Sequence, residues 1–394
     1  MKLQNDYSFV RGVCHGPGFG TDVAKMREIW RRDFGYMKRL NLNSIRFWMS
    51  EEAWKKDNEG YCKMLKSYAK EAAEADITLM PIFFNGNALD TFTPLTAAEW
   101  SLAEAYSRAV INTLKDEPNI IMWDAINEPF CCEYLHNAPE NEKEERWNNI
   151  RDWTRKCCQM IAGIDRTIPL TVGHELAPHV ETSADLVDVI SYHDYLHTRA
   201  EMEGALKMTI DFAKGKPVMN TETGCACRAN PYDAELELCA RYHIGFYIFN
   251  LIIEGPWADV HGLVYPDGTV RDPSIAAAVM GFFRKRSDDR ILYNPNREHH
   301  AEIAISRLQE ALSIKVNHMH RFSAAGVDEI LDAAEYGADI LEAAEMVAMR
   351  NPPSAKILHW RNLGSEQKNA PDTVEDIKAF AYGIIKQLRE GCLL

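Results

Sequence analysis

Eight short apolar runs, most of them followed by an amphipathic stretch, fill about the first 290 residues of the chain. The runs read as strands at Phe9–Val13, Ser44–Met49, Ile77–Phe84, Ile120–Ile126, Leu170–Gly173, Val187–Tyr192, Pro217–Asn220 and Gly245–Ile253. Helices are expected at Val23–Leu40, Tyr61–Ala75, Ala97–Lys115, Glu142–Ile164, Ala200–Ala213, Ala234–Tyr242 and Pro273–Arg284. In the fourth of these, Trp147, Ile150, Trp153, Cys157 and Ile161 recur every three or four positions, which marks one apolar face. Strands alternating with helices build a parallel sheet. Eight such units fit an α/β fold of the (β/α)8 TIM barrel type better than a doubly wound sheet.

The pattern changes near residue 290. His299–His320, Gly326–Arg350 and Thr373–Leu394 read as helices, with no strand alternation between them. The expected organisation is a barrel over 1–290 and a helical C-terminal appendage over 291–394. Its apolar stripe (Ile330, Leu331, Ala334, Ile340, Leu341, Ala344 and Val347) suits packing on the barrel or against a second subunit. This region is therefore the candidate contact for a homo-oligomer.

Charge and cysteine usage narrow the partners. The 44 basic and 58 acidic residues give a net charge of −14, which disfavours nucleic acid and anionic membranes. No apolar window approaches a membrane span, and the first residues lack the apolar stretch of a leader. The ten cysteines include the adjacent pairs Cys131-Cys132 and Cys157-Cys158, poorly placed to bond each other. A reduced, cytoplasmic protein is the expectation. No Gly-x-Gly-x-x-Gly, P-loop or Gly-x-Ser-x-Gly pattern occurs. Cys225-Ala-Cys227 and His318-Met-His320 lack a second half at zinc spacing, so neither a metal nor a cofactor is expected.

In such a barrel the active site lies at the C-terminal ends of the strands. The polar and aromatic residues there are His15, Arg46 and Trp48, Asn85, Asn127-Glu128-Pro129, His174-Glu175, His193-Asp194-Tyr195, Glu222, and Glu254 with Trp257. Glu128 and Glu222 then face one another across the mouth. Paired carboxylates suit glycosidic bond cleavage: one protonates the leaving oxygen, and the other attacks or activates water. Trp48, Tyr195 and Trp257 suit stacking on sugar rings. Arg46 is placed to keep one carboxylate ionised.

Asn127-Glu128-Pro129 after Trp-Asp-Ala-Ile resembles the strand-4 signature of clan A glycoside hydrolases, family 5 cellulases and mannanases in particular. The likeness spans roughly residues 8–285. It includes Arg46 in Ser-Ile-Arg-Phe, His193 and Tyr195 in Ser-Tyr-His-Asp-Tyr, and Glu222 in Val-Met-Asn-Thr-Glu-Thr-Gly. The resemblance implies a retaining β-glycosidase acting on small β-glycosides or oligosaccharides. It implies Glu128 as acid/base, Glu222 as nucleophile, and Asn127 on the sugar 2-hydroxyl. It also implies Tyr195 and Arg46 against Glu222, His193 on the acid/base side, and Trp257 as the floor of the sugar site. His15, Asn85, Trp48 and Glu254 complete the expected substrate-binding set.

Two other readings fit the same residues. One is a sugar-binding barrel whose catalysis has decayed. The other is a metal-dependent lyase or isomerase that uses Glu128, Glu175 and Glu222 as ligands.

Overall fold

The computed structural model describes residues 3–18, 23–86, 97–255, 258 and 260–283. The helical region expected over 291–394, the boundary at 290 and Trp257 lie outside the described residues. Eight parallel strands close into a barrel in chain order: β1 (Arg11–Cys14), β2 (Ser44–Trp48), β3 (Thr78–Asn85), β4 (Trp123–Asn127), β5 (Leu170–His174), β6 (Ile190–Asp194), β7 (Val218–Thr223) and β8 (Gly245–Phe249). β8 pairs back onto β1, with Cys14 opposite Phe249. Around them run α1 (Val23–Arg39), α2 (Glu51–Lys56), α3 (Asn58–Glu74), α4 (Ala97–Leu114), α5 (Glu133–His136), α6 (Lys143–Ile164), α7 (Arg199–Ala213), α8 (Tyr232–Arg241) and α9 (Pro273–Val279).

The strands read as unbroken apolar runs because both of their faces are covered. β4 and β5 are buried at every residue. The helices bury one stripe each: α6 presents Ile150, Trp153, Cys157 and Ile161 inward, as its spacing predicts. Two short helices, α2 and α5, were not apparent in the sequence. α2 starts where the Ser50 side chain caps the Ala53 N–H. The link after β5 is the 3-10 segment Ala177–Thr182 rather than an α-helix.

Strand 8 is shorter than its apolar run. It ends at Phe249, and the chain then leaves the ladder. Leu251 N–H donates to the Cys14 carbonyl, and Ile253 N–H donates to that of Val264. Leu251 and Ile252 are apolar because they are buried under this crossing, not because they extend the strand.

The floor of the barrel is sealed by Tyr7, Val10, Met80, Ile121, Met122, Val189, Met219 and Tyr247. A Cβ on Gly12 would overlap the Tyr247 ring, so glycine there lets Tyr247 cross from β8 and reach Ser44 Oγ at 2.7 Å. Above this plug the interior turns polar.

Candidate active site

The centre of the polar layer is Arg46, inward-facing on β2 and fully buried. Its guanidinium spends its donors across the barrel on two strands, β4 and β7. Nε donates to Asp124 Oδ2 (2.9 Å), Nη2 to Asn127 Oδ1 (2.9 Å) and Nη1 to Glu222 Oε2 (2.9 Å). A buried charge is tolerable only when paired and hydrogen-bonded. Asp124 and Glu222 supply the pairing. Asp124 Oδ1 also accepts the Gly173 N–H at 3.1 Å, tying β5 to the same network. Burial raises the Asp124 carboxyl, and the Arg46 charge opposes that shift.

Glu222, on β7, is held at both oxygens. Besides Arg46 on Oε2, Tyr195 Oη donates to Oε1 at 2.7 Å. Its backbone N–H donates to the Asn220 side-chain oxygen at 3.2 Å. Charge-assisted hydrogen bonds of this length are the strong ones, and they fix the carboxylate's plane. Burial, then the charges of Glu222 and Glu128, push the Tyr195 phenol well above its ordinary value, so it stays a donor.

Glu128 follows β4 directly, in the left-handed backbone region at φ 48°. That conformation costs a non-glycine residue roughly 1–2 kcal/mol and persists only where the surroundings fix it. Here the Glu128 N–H donates to the Gly173 carbonyl at 2.7 Å. The result turns the side chain back over the mouth, with one oxygen 2.7 Å from His193 Nδ1. Burial raises the Glu128 carboxyl, while Arg46, Arg228 and the Cys131 thiol act the other way. Burial lowers His193 to about 4, which keeps the ring neutral at pH 7. A Cβ on Gly173 would overlap both the Arg46 guanidinium and His193 Nε2, so only glycine lets the two approach.

One donor atom from each of Glu128, His193 and Glu222 lies within 4.8 Å of the others. The two carboxyl groups therefore face each other at close range. A cation fits this set poorly. His193 already bonds Glu128 directly, and the Arg46 guanidinium would repel a metal at Glu222 Oε2. Glu175, part of the metal-dependent reading, instead pairs with His179 Nδ1 at 2.5 Å.

No protein-family model matches the chain, and no curated protein sequence does. Solved structures do. An endo-1,4-β-mannanase from Rhizomucor miehei matches over 65% of this chain and 89% of its own, at 18% identity and a TM-score of 0.52. A GH5-4 broad-specificity endoglucanase from Clostridium longisporum matches over 72% and 99%, at 13% identity and 0.52. A calcium-binding mutant of Bacteroides uniformis β-glucuronidase 2 matches over 72% and 36%, at 18% identity and 0.51. These likenesses show the fold. The chain spans about a third of the glucuronidase's length.

The barrel brings most of the sequence candidates together. Asn85 accepts from Asn127 Nδ2 at 2.8 Å, which orients the Asn127 amide. Trp48 meets Phe249 edge-on at 5.7 Å and lies beneath the Arg46 guanidinium. His15 sits at the rim, 2.9 Å from the buried Asp33 of α1. His174 is buried and bonded to Ser183 Oγ at 2.8 Å, the arrangement of a core histidine. Glu254 is exposed, and no hydrogen bond described joins it to the carboxylate pair.

Several residues at the mouth escaped the sequence reading. Asp124 hid inside an apolar run, where a lone carboxylate was the only signal. Phe249, His261 and Tyr195 form an edge-to-face arc, with ring centroids 4.7 and 5.8 Å apart in turn. Arg228 lies over the Tyr195 ring at 5.1 Å. Cys131 gives its thiol hydrogen bond to Glu128. His261 comes from a loop and Arg228 from the short 3-10 segment Ala226–Arg228, where periodicity carries no information.

Proposed function

We propose that the chain is a retaining β-glycosidase that hydrolyses the O-glycosidic bonds of small β-glycosides or oligosaccharides by double displacement. The observation that carries this reading is the close approach of the Glu128 and Glu222 carboxyl groups, with donor oxygens within 4.8 Å. Retaining enzymes place these groups about 5–5.5 Å apart, whereas inverting ones need about 6.5–9.5 Å to admit a water. The neighbours sharing this fold include a mannanase, an endoglucanase and a glucuronidase, which supports carbohydrate as the substrate class.

In the first step Glu222 attacks the anomeric carbon, and the bond to the leaving oxygen breaks. The Glu128 proton passes to that oxygen, so the leaving group departs as a neutral alcohol. Glu222 is then an ester and no longer negative, which lowers the Glu128 carboxyl and suits it as a base. In the second step Glu128 takes a proton from water. The hydroxide oxygen bonds the anomeric carbon, and Glu222 leaves as carboxylate. Two inversions return the starting configuration. Arg46 and Tyr195 fix the nucleophile, and His193 orients Glu128. Asn127 keeps one amide hydrogen free of Asn85 for a sugar hydroxyl. Trp48 lines the sugar site.

Among the described residues no helix is long and apolar enough to cross a membrane. The eight cysteines described are free thiols. The cytoplasmic setting is part of this proposal and rests on the free thiols.

The test uses 2-deoxy-2-fluoro glycosides carrying a dinitrophenolate leaving group, in the gluco, manno, galacto, xylo and fuco series. One series is expected to inactivate the protein with one burst of dinitrophenolate per chain, and peptide mass mapping to place the sugar on Glu222. Hydrolysis that proceeds normally in Glu222→Gln would overturn the assignment.

A further inference from the structure

Behind the two strands that carry Tyr195 and Glu222 lies a second pair of carboxyl groups. Asp194 ends β6 between His193 and Tyr195, and Glu235 projects from α8. They are 1% and 2% exposed. Asp194 Oδ1 accepts the Leu196 N–H at 2.8 Å, and the Asp194 carbonyl accepts Thr223 Oγ1 at 2.7 Å. Glu235 Oε1 accepts the Asn220 amide at 2.6 Å, and Asn220 in turn accepts the Glu222 N–H. The remaining oxygens, Asp194 Oδ2 and Glu235 Oε2, have no donor from any other group. The two carboxyl groups are electrostatic neighbours, and one proton shared between them would give both unpaired oxygens a partner.

The pair lies beside two irregularities of the barrel ladder. The β6–β7 register shifts between Tyr192 and His193, and the β7–β8 register shifts between Asn220 and Thr223. We propose that the proton shared by Asp194 and Glu235 is a clamp that positions Tyr195 and Glu222, joining β6 to α8 and, through Asn220, to the nucleophile's backbone. Its catalytic consequence rests on the glycosidase reading. Asp194 and Glu235 are positioning residues, since neither faces the sugar site.

The groups facing the pair are Tyr192 on β6, the Asn220 amide on β7, Glu201 at the start of α7 and Cys239 on α8. Burial raises both carboxyl groups, and the Asp194 charge raises Glu235 further. A group whose folded-state value is raised contributes stability that is present in acid and lost as pH rises through that value. Loss of the shared proton leaves two like charges buried side by side. The clamp then opens on the alkaline side.

Glu235→Gln replaces the shared proton with an amide N–H that does not titrate. Glu235→Ala removes the link. The thermal midpoint of the wild-type chain is expected to fall by several degrees between pH 6 and pH 9, and that of Glu235→Gln to stay level. With a dinitrophenyl glycoside, whose departure needs no acid, the Glu128 limb is absent from kcat/KM. Any alkaline loss that remains reports the clamp, and Glu235→Gln should flatten it. Glu235→Ala should lose more than tenfold at every pH, with the amide variant rescuing neutral activity. Superimposable midpoint-against-pH curves for wild type and Glu235→Gln would overturn the clamp whatever the activity. A wild-type chain that turns over no glycoside would sink the glycosidase reading instead, and the midpoint curves would still decide the clamp.

Discussion

The two carboxyl groups at the barrel mouth are built in opposite ways. Glu222 lies inside a strand, 6% exposed, with a donor fixed on each oxygen. Glu128 lies one residue beyond its strand on a left-handed backbone, with a side chain 20% exposed and a neutral histidine as partner. The first surroundings immobilise a charge, and the second favour a group that gains and loses a proton. A nucleophile must hold one position and one charge through the attack, whereas an acid/base must change state twice. The asymmetry supports the roles proposed for the two carboxyl groups.

Breaking the Glu222 side should have the largest effect. Arg46→Met removes a donor from Glu222 and leaves both Glu222 and Asp124 buried without their cation. Removing one partner of a buried ion pair costs about 3–5 kcal/mol. Chemical denaturation is expected to show a loss of that size, and turnover should fall below detection. Asp124→Asn keeps an acceptor for Arg46 and should cost clearly less stability. Equal losses in the two variants would mean that Arg46 serves Asp124 alone.

Breaking the Glu128 side should be selective. Glu128→Ala is expected to lose about 10²–10⁴ in kcat/KM on glycosides with alkyl or sugar leaving groups, the usual range for general acid catalysis. Dinitrophenyl glycosides should lose far less in this step. Azide should restore turnover and yield a β-glycosyl azide. An α-azide, or a loss independent of leaving group, would contradict the assignment. The pH profile follows from the same environment. Glu128 acts while protonated, and burial raises its carboxyl. Activity on poor leaving groups should therefore fall as pH rises through a value above the ordinary glutamate range. The limb should vanish in Glu128→Ala.

The asymmetry was only half legible in the sequence. Parallel barrel strands are covered on both faces, so they stand out as apolar runs, and polar residues at their ends stand out against them. Glu128, Glu222, Arg46 and Tyr195 are visible for that reason. The same rule misleads where an apolar run outlasts its strand. Strand 8 stops at Phe249, so Glu254 falls on an exposed loop and the true mouth residue is the phenylalanine. Asp124 was invisible because its partner lies 78 positions away, and nothing local marks a buried ion pair. The left-handed turn at Glu128 was also hidden, since its cause is the Gly173 carbonyl on the next strand.

The finest probe of the comparison is Tyr195→Phe, which removes one of the two donors on Glu222 and nothing else. The ring keeps its edge contact with His261 and its place under Arg228. A hydrogen bond to a charged group contributes about 1.5–3 kcal/mol, which corresponds to roughly 10–150-fold in rate. The loss should be alike for dinitrophenyl and alkyl glycosides, because it concerns attack rather than departure of the leaving group. The alkaline limb should stay where Glu128 sets it. If the loss instead depends on the leaving group, Tyr195 acts through Glu128, and the separation of the two sides is wrong.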